Sequence, residues 1–143
     1  MEEARTLSSD QAWSIASSIR AALTANGLAA SIAIVSRDGQ PLCQVTMDGA
    51  RPFTAHVALL KAQQAAQIGC RTRRTAEQAA KGEITPEVLG MDPRTFIHWP
   101  GGVPVYTKQR ALLGGVGVSN LTGDEDEKFA IAGVEDRGFV SDK

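Results

Sequence analysis

Seven glycines occur from Pro100 to Gly133, and their spacing constrains the fold of this chain more than any other feature. The Gly101-Gly102 pair predicts a turn, and the apolar pattern after it predicts two strands, over residues 103–107 and 112–119. Three glycines interrupt the second of these strands: Gly114, Gly115 and Gly117. Glycine weakens a strand and is typical of places where another group must approach the backbone closely. We therefore expect a backbone, a helix or a ligand to contact this strand directly.

An acidic helix start follows that strand. Gly123 is followed by four consecutive acids at residues 124–127. Carboxylates in a first helical turn are stabilised by the helix dipole, so the pattern predicts a C-terminal helix. Asp126 belongs to this turn. Its position needs no catalytic explanation, but Asp126 is also a candidate ligand-binding residue.

The N-terminal part of the chain predicts a helix followed by a hairpin. Ser8 and Gln11 have capping-box spacing ahead of a helical stripe of apolar residues, which stops at Asn26-Gly27. Residues 32–35 are a short apolar run and predict a strand covered on both faces. A turn at Asp38-Gly39 returns the chain as an antiparallel strand over residues 42–46.

The middle of the chain predicts two more helices and one more strand. Residues 55–68 are rich in alanine and predict a closely packed helix ended by Gly69, and residues 75–81 predict a short helix. Residues 96–99 are typical of a strand. The complete pattern predicts a single α+β domain over residues 1–143, with an antiparallel five-stranded sheet and helices on its faces.

Composition excludes several classes of protein. The formal net charge is −1 and the aromatic residues are scattered, so neither nucleic acid nor an anionic membrane is an expected partner. No run approaches the ~20 apolar residues of a membrane span, and no signal peptide is recognisable. The two cysteines, Cys43 and Cys70, do not form a disulfide framework or a C-x-x-C motif. We expect a cytoplasmic protein, and two histidines far apart in the chain do not indicate a metal site made of protein ligands.

A set of motifs extends over nearly the whole chain. Met47-Asp48-Gly49-Ala50 leads into a helix that contains Lys61-Ala62 and Ala65-Ala66. The C-terminal motifs are carried by Gly101, Gly102, Pro104, Val105, Gly115, Gly117, Val118, Ser119, Thr122, Gly123, Asp126, Glu127, Ala132 and Gly133. Together these residues resemble the GlcG/HbpS family of small domains, which also form the C-terminal part of PduO-type proteins. The resemblance implies a profilin-like sheet with helices on both sides, an α/β/α sandwich.

The resemblance also implies a ligand. Members of this family are associated with binding haem or corrinoids, with haem degradation and with catabolic operons, and they commonly form dimers and larger closed assemblies. In the haem-binding members an axial histidine comes from the N-terminal helix region. This chain has no histidine before His56, so that ligand is not carried over. Haem would be held by His56, His98 or a cysteine, or not at all.

His56 and Arg51 are the candidate catalytic residues. His56 lies in the first turn of the second predicted helix, where a neutral imidazole suits a general base or an iron ligand, although a solvent-facing histidine is the more common case there. Arg51 departs from the small or apolar residue that the family usually has after D-G-A. An arginine in that loop can clamp a carboxylate, or can simply be a surface residue.

The remaining candidates are expected to contact a ligand or to lock the fold. Lys61 matches a lysine of the family and either pairs with an acid such as Asp48 or Asp126 or binds an anion. His98, between Ile97 and Trp99, is typical of a half-buried strand histidine that bonds a carbonyl, or it contributes to a ligand site. Backbone at three glycines would allow close approach of a ligand: Gly101, Gly102 and Gly117.

Three functions are compatible with these residues. The first is an oligomeric domain that binds haem or another planar or organic small molecule in a pocket beside His56. The second is a catabolic lyase, isomerase or hydrolase in which His56 moves a proton and Arg51 holds a small carboxylate. The third is an accessory subunit without a ligand.

Overall fold

The computed structural model describes residues 6–143, which form four helices and an antiparallel four-stranded sheet. In chain order the elements are α1 (Ser9–Ala25), β1 (Ser31–Ser36), β2 (Pro41–Thr46), α2 (Thr54–Ile68), α3 (Thr72–Ala80), β3 (Gly102–Tyr106), β4 (Leu112–Ser119) and α4 (Gly123–Asp136). The sheet is open, with strand order β2-β1-β4-β3. Within residues 6–143, none of the helices has both the length and the hydropathy that a membrane span requires.

Capping boxes fix where the first and last helices begin. The Ser8 Oγ accepts from Gln11 N at 3.1 Å, and the Gln11 side chain accepts from Ser8 N at 2.9 Å. Thr122 and Glu125 make the same reciprocal pair ahead of α4. These pairs satisfy backbone donors that the first turn would otherwise leave without partners. The predicted start of α1 and the acidic start of α4 are confirmed.

One face of the sheet is covered by α1 and α4 and is packed with branched aliphatic side chains; we call it the aliphatic face. Alternate residues of β1, β3 and β4 point to this side: Ile32, Ile34, Val103, Val105, Val116 and Val118. Ile15 and Ile19 of α1 and Val134 of α4 pack against them and are fully buried. This layer holds the larger of the two hydrophobic clusters among the described residues.

The opposite face is covered by α2 and is made of very small residues; we call it the small-residue face. Ala58, Ala62 and Ala66 of α2 lie against it. A Cβ added to Gly115 would overlap the carbonyl oxygen of Ala62, and one added to Gly117 would overlap that of Ala58. The close approach expected at the glycine-rich strand is confirmed, and the group that approaches is helix α2.

The predicted fifth strand over residues 96–99 was wrong. The segment is irregular, and a side chain of α2 satisfies its backbone instead of a neighbouring strand. Gln64 donates from Nε2 to Ile97 O at 3.0 Å, and its Oε1 accepts from Ile97 N at 2.7 Å. Thr72 then donates to Trp99 O at 2.9 Å. These bonds hold the segment against α2 and α3, away from the edge of the sheet.

The third helix begins earlier than predicted, at Thr72 instead of residue 75. Gly69 ends α2 in the left-handed conformation, with φ +82°, and Arg71 is extended, so a new helix starts after only three residues. The short spacing positions Thr72 and Thr75 to face inward, where both are buried.

Candidate functional site

Five of the predicted ligand-binding residues meet in a filled, buried cluster on the small-residue face. Lys61 is fully buried, and its Nζ donates to Val118 O at 2.9 Å and to Asp126 Oδ2 at 3.1 Å. A Cβ added to Gly101 would contact the Lys61 side chain, and one added to Gly102 or Gly117 would overlap backbone of α2.

Burial dominates the electrostatics of this pair. It lowers the pKa of the Lys61 ammonium and raises the pKa of the Asp126 carboxyl, while their mutual attraction opposes both changes. The other carboxylate oxygen of Asp126 accepts from Leu121 N at 3.0 Å. Lys61 and Asp126 therefore join α2 to the start of α4, and the contacts leave no space for a ligand between them.

Arg51 and His56 both lie at the N-terminal end of α2, but the structure gives them different surroundings. Arg51 donates from Nε to Asn120 Oδ1 at 3.0 Å and from Nη2 to Asn120 O at 3.1 Å, with its guanidinium 5.1 Å from the centre of the Phe53 ring. Asn120 has φ +141°, an unfavourable conformation that these bonds and its own bond to Ala29 O hold in place. His56 is exposed. Arg51 thus supports the loop after β4, and neither residue lines any of the cavities described below.

His98 is exposed and not half-buried in a strand as predicted. Its ring packs edge-on against Phe96, with ring centres 4.9 Å apart and planes at 69°. It borders a shallow hollow of about 250 Å³ beside α3, together with Arg73 and Glu77. Arg73 already bonds both oxygens of Glu127 and is also paired with Asp124, so its charge is compensated within the protein.

A cavity lined by none of these residues lies elsewhere, between α1 and β2. We call it the α1–β2 groove. It has a volume of about 550 Å³, is open to solvent and is lined mainly by hydrocarbon. Its lining residues are Trp13, Ala16, Ser17, Arg20, Ala21, Thr24, Ala25 and Val45.

Helical spacing explains why α1 presents this lining. Trp13, Ser17, Arg20 and Thr24 follow one another at intervals of three or four residues and therefore share one face of the helix. The neighbouring face carries the buried side chains that hold α1 on the sheet, among them Ile15 and Ile19. Trp13 is 60% exposed, so much of its indole is accessible from the groove.

The groove continues beyond Arg20, Thr24 and Val45. A hollow of about 250 Å³ shares Arg20, Thr24 and Val45 with it and adds Thr46, Met47 and Asp48. A cavity of similar size to the groove, about 510 Å³, lies on the other side of the molecule between the β1–β2 turn and α2. That cavity is more polar and has no aromatic side chain in its lining. The α1–β2 groove is therefore the better candidate for an organic ligand.

The site was missed from the sequence because the groove forms only where α1 lies beside Val45 of β2, although its other lining residues all belong to α1. The signal that could have found it is Trp13, a large aromatic residue placed next to the buried stripe of α1 and seven residues before Arg20. Spacing of seven puts the indole and the guanidinium two turns apart on one helical face.

The fold places the chain among small α+β proteins in which one open sheet carries helices on both faces, and in this chain an apolar groove lies at the edge of the sheet. The chain belongs to the HbpS-like family, since the family model described as haem-degrading protein HbpS-like matches residues 7–135. The resemblance found in the sequence is thereby confirmed. No curated protein sequence matches the chain significantly.

Solved structures agree with this assignment. A doubly substituted variant of HbpS from Streptomyces reticuli is 29% identical, with a TM-score of 0.80 over 94% of this chain and 89% of that one. Protein ORFY from Klebsiella pneumoniae is 23% identical, with a TM-score of 0.85 over 96% and 94% of the two chains. A complex of PduOC with haem is 16% identical, with a TM-score of 0.86 over 96% and 99%. The last two likenesses establish the fold alone.

Proposed function

We propose that this domain binds a planar, largely apolar organic molecule with acidic side groups, of the tetrapyrrole class that includes haem, in the α1–β2 groove. The observation that carries the proposal is the groove itself, a mainly hydrocarbon hollow of about 550 Å³ with Trp13 and Arg20 on one helical face. Ligand sites are typically concave and apolar with a few polar groups that set orientation.

The side chains of the groove suit such a ligand. An exposed indole offers a flat apolar surface on which a ring system can stack. A guanidinium can hold a carboxylate through two parallel hydrogen bonds. The Ser17 hydroxyl donates to Trp13 O at 2.7 Å, so its free lone pairs and the Thr24 hydroxyl supply the remaining polar surface.

Membership of the HbpS-like family supports a haem-related ligand. Among the structures with this fold, one is described as a complex of PduOC with haem. Haem contains both features that the groove accommodates, a flat apolar ring and carboxylate side groups. When bound, it would supply redox chemistry of its iron, while this chain would supply the surface that orients the ring.

Hemin titration followed by absorption spectroscopy tests the proposal. We expect saturable binding to the wild type, and at least about tenfold weaker binding to Trp13→Ala, because the indole provides the stacking surface. Trp99→Ala is the matched control, since Trp99 is 51% exposed but lies outside the groove. Absence of hemin binding, or equal losses in the two tryptophan variants, would contradict the proposal.

We also propose that the protein forms a homo-oligomer and is located in the cytoplasm. In the sheet order β2-β1-β4-β3, β2 has no neighbouring strand on its outer side within the described chain, and large apolar side chains such as Phe53 are exposed. Such features are typical of surfaces that another subunit covers. Sedimentation equilibrium gives the mass directly, and a monomer at micromolar concentration would rule out the assembly.

The hypothesis of a catabolic enzyme stays a prediction. Arg51 uses two of its nitrogens on Asn120, which leaves fewer donors for a substrate carboxylate than the sequence suggested. The contacts of Arg51 therefore argue against catalysis at the start of α2, which leaves the α1–β2 groove as the better candidate site.

A further inference from the structure

The lining of the α1–β2 groove lacks the side chains that coordinate haem iron. Iron in haem proteins is held by histidine, cysteine, methionine or tyrosine. None of these occurs among the lining residues of the 550 Å³ hollow, and Met47 occurs only in its continuation. The residues present fit a porphyrin ring with carboxylates, but they do not fit its iron.

The histidines lie on the other side of the sheet. His56 is on α2, which covers the small-residue face, and His98 lies beside α3. The groove is formed by α1 and β2, and α1 covers the aliphatic face. Neither imidazole of a single chain can therefore reach the groove.

The nearest sulfur groups are also poor ligands. Cys43 is on β2, two residues before Val45, but it packs partly buried against the aliphatic core. Burial raises the pKa of its thiol, which disfavours the thiolate that metals require. Met47 likewise packs partly buried against that core. Within residues 6–143, no three histidine, cysteine or acidic side chains lie close enough together to hold a metal ion.

We propose that the α1–β2 groove recognises the ring and the carboxylates of a tetrapyrrole and not its metal, so that metal-free porphyrins bind as tightly as haem. This inference rests on the proposed function and specifies which parts of the tetrapyrrole are recognised, namely the ring and the carboxylates. Trp13 contacts the ring and Arg20 pairs with a carboxylate. The affinity then depends on stacking of the ring and on pairing of its carboxylates, and a porphyrin has both groups with or without iron.

A comparison of hemin with metal-free protoporphyrin tests the inference. The Trp99→Phe variant leaves Trp13 as the single tryptophan, so quenching of its fluorescence reports occupancy of the groove. We expect dissociation constants for the two compounds that agree within about tenfold. Metal-free protoporphyrin that binds more than about tenfold more weakly than hemin would overturn the inference and leave the proposed function standing. Failure of both compounds to bind would remove the proposed function as well.

Two further experiments identify the groups of the protein that bind the carboxylates and the iron. The dimethyl ester of protoporphyrin should bind about tenfold more weakly than the free acid, and Arg20→Gln should abolish that difference, because the ester cannot pair with the guanidinium. A difference that persists in Arg20→Gln would overturn the role of Arg20.

The second experiment tests whether a side chain of the protein coordinates the iron of hemin. We expect hemin to bind equally well to Met47→Leu and to the double variant His56→Ala/His98→Ala. Loss of hemin binding in Met47→Leu alone would show a thioether ligand. A loss confined to the double variant would show an imidazole supplied by a second copy of the chain, and either result would overturn metal-independent recognition.

Discussion

The two faces of the sheet are packed in opposite ways. On the aliphatic face, branched side chains from the strands meet branched side chains from α1 and α4. On the small-residue face, glycines of β4 meet alanines of α2, and the backbones themselves are in contact. A side chain can change rotamer to accommodate a neighbour, whereas a carbonyl oxygen fixed in a helix cannot. We infer that the small-residue face sets the geometry of the domain, and that the aliphatic face, with the groove at its edge, is the one that tolerates change.

The buried pair on the small-residue face should give the largest effect. Lys61→Ala should lower the free energy of unfolding by about 3–5 kcal/mol, because it leaves the Asp126 carboxylate buried without its partner. Denaturation in guanidinium chloride measures the change. In Lys61→Met/Asp126→Asn part of the loss should be recovered, since both buried charges are then removed.

The exposed pair Arg94–Asp92, with a separation of 2.9 Å, is the control for that experiment. Arg94→Ala should leave the unfolding midpoint unchanged, because exposed ion pairs contribute little. If Lys61→Ala were equally harmless, the small-residue face would not depend on its buried pair.

Glycine substitutions compare the two faces directly. Gly117→Ala should cost about 3 kcal/mol, because the new methyl group overlaps the Ala58 carbonyl. Gly133→Ala in α4 should cost less, about 1–2 kcal/mol, since the new methyl group overlaps a side-chain atom of the buried Ile19 and not a carbonyl, and alanine favours the helix. Thermal or chemical unfolding of the two variants gives the ranking, and a larger loss in Gly133→Ala would reverse our comparison.

Adjacent residues of β1 provide a finer comparison, since they point to opposite faces. Ala33→Val adds volume to the small-residue face and should cost about 2 kcal/mol. Ile34→Val removes one methylene from the aliphatic face and should cost about 1 kcal/mol. Equal values for the two would indicate that both faces are packed alike.

The smallest effect on stability is expected at the groove. Trp13→Ala should change the free energy of unfolding by less than about 0.5 kcal/mol, because the side chain is 60% exposed. The same variant should lose porphyrin binding, which fluorescence or absorption titration measures on the same sample. A variant that is strongly destabilised would mean that Trp13 belongs to the core and not to a ligand site.

Much of the fold could be predicted because its signals are local. The capping residues Ser8 and Gln11 and the Asp38-Gly39 turn each act through their immediate neighbours in the chain. The glycines of β4 predicted a close contact, but not that α2 makes it. The fifth strand could not be predicted, because apolar residues at 96–99 fit a strand as well as an irregular buried segment. The deciding contact is the Gln64 side chain, which is more than thirty residues away in the chain.

The candidate site was harder to predict for a related reason. His56 and Arg51 were predicted as catalytic residues from their residue types. A ligand site, however, depends on which surfaces enclose a cavity. The groove exists because α1 lies across the sheet beside β2, and this arrangement has no signature in either segment alone. The sequence could identify the pairing of Lys61 with an acid, since a buried lysine needs a partner, but it left Asp48 and Asp126 as alternatives.

The two hydrogen bonds between the Gln64 side chain and Ile97 determine which part of the chain can be altered without moving β3. The Gln64 amide bonds both backbone groups of Ile97, and the Thr72 hydroxyl donates to Trp99 O. These bonds fix the position of the chain just before β3 without any contribution from residues 81–95. We expect that the stretch can be lengthened, shortened or replaced by a reporter peptide while the sheet keeps its register. None of residues 81–95 lines the α1–β2 groove, so a label inserted there would leave the ligand surface free.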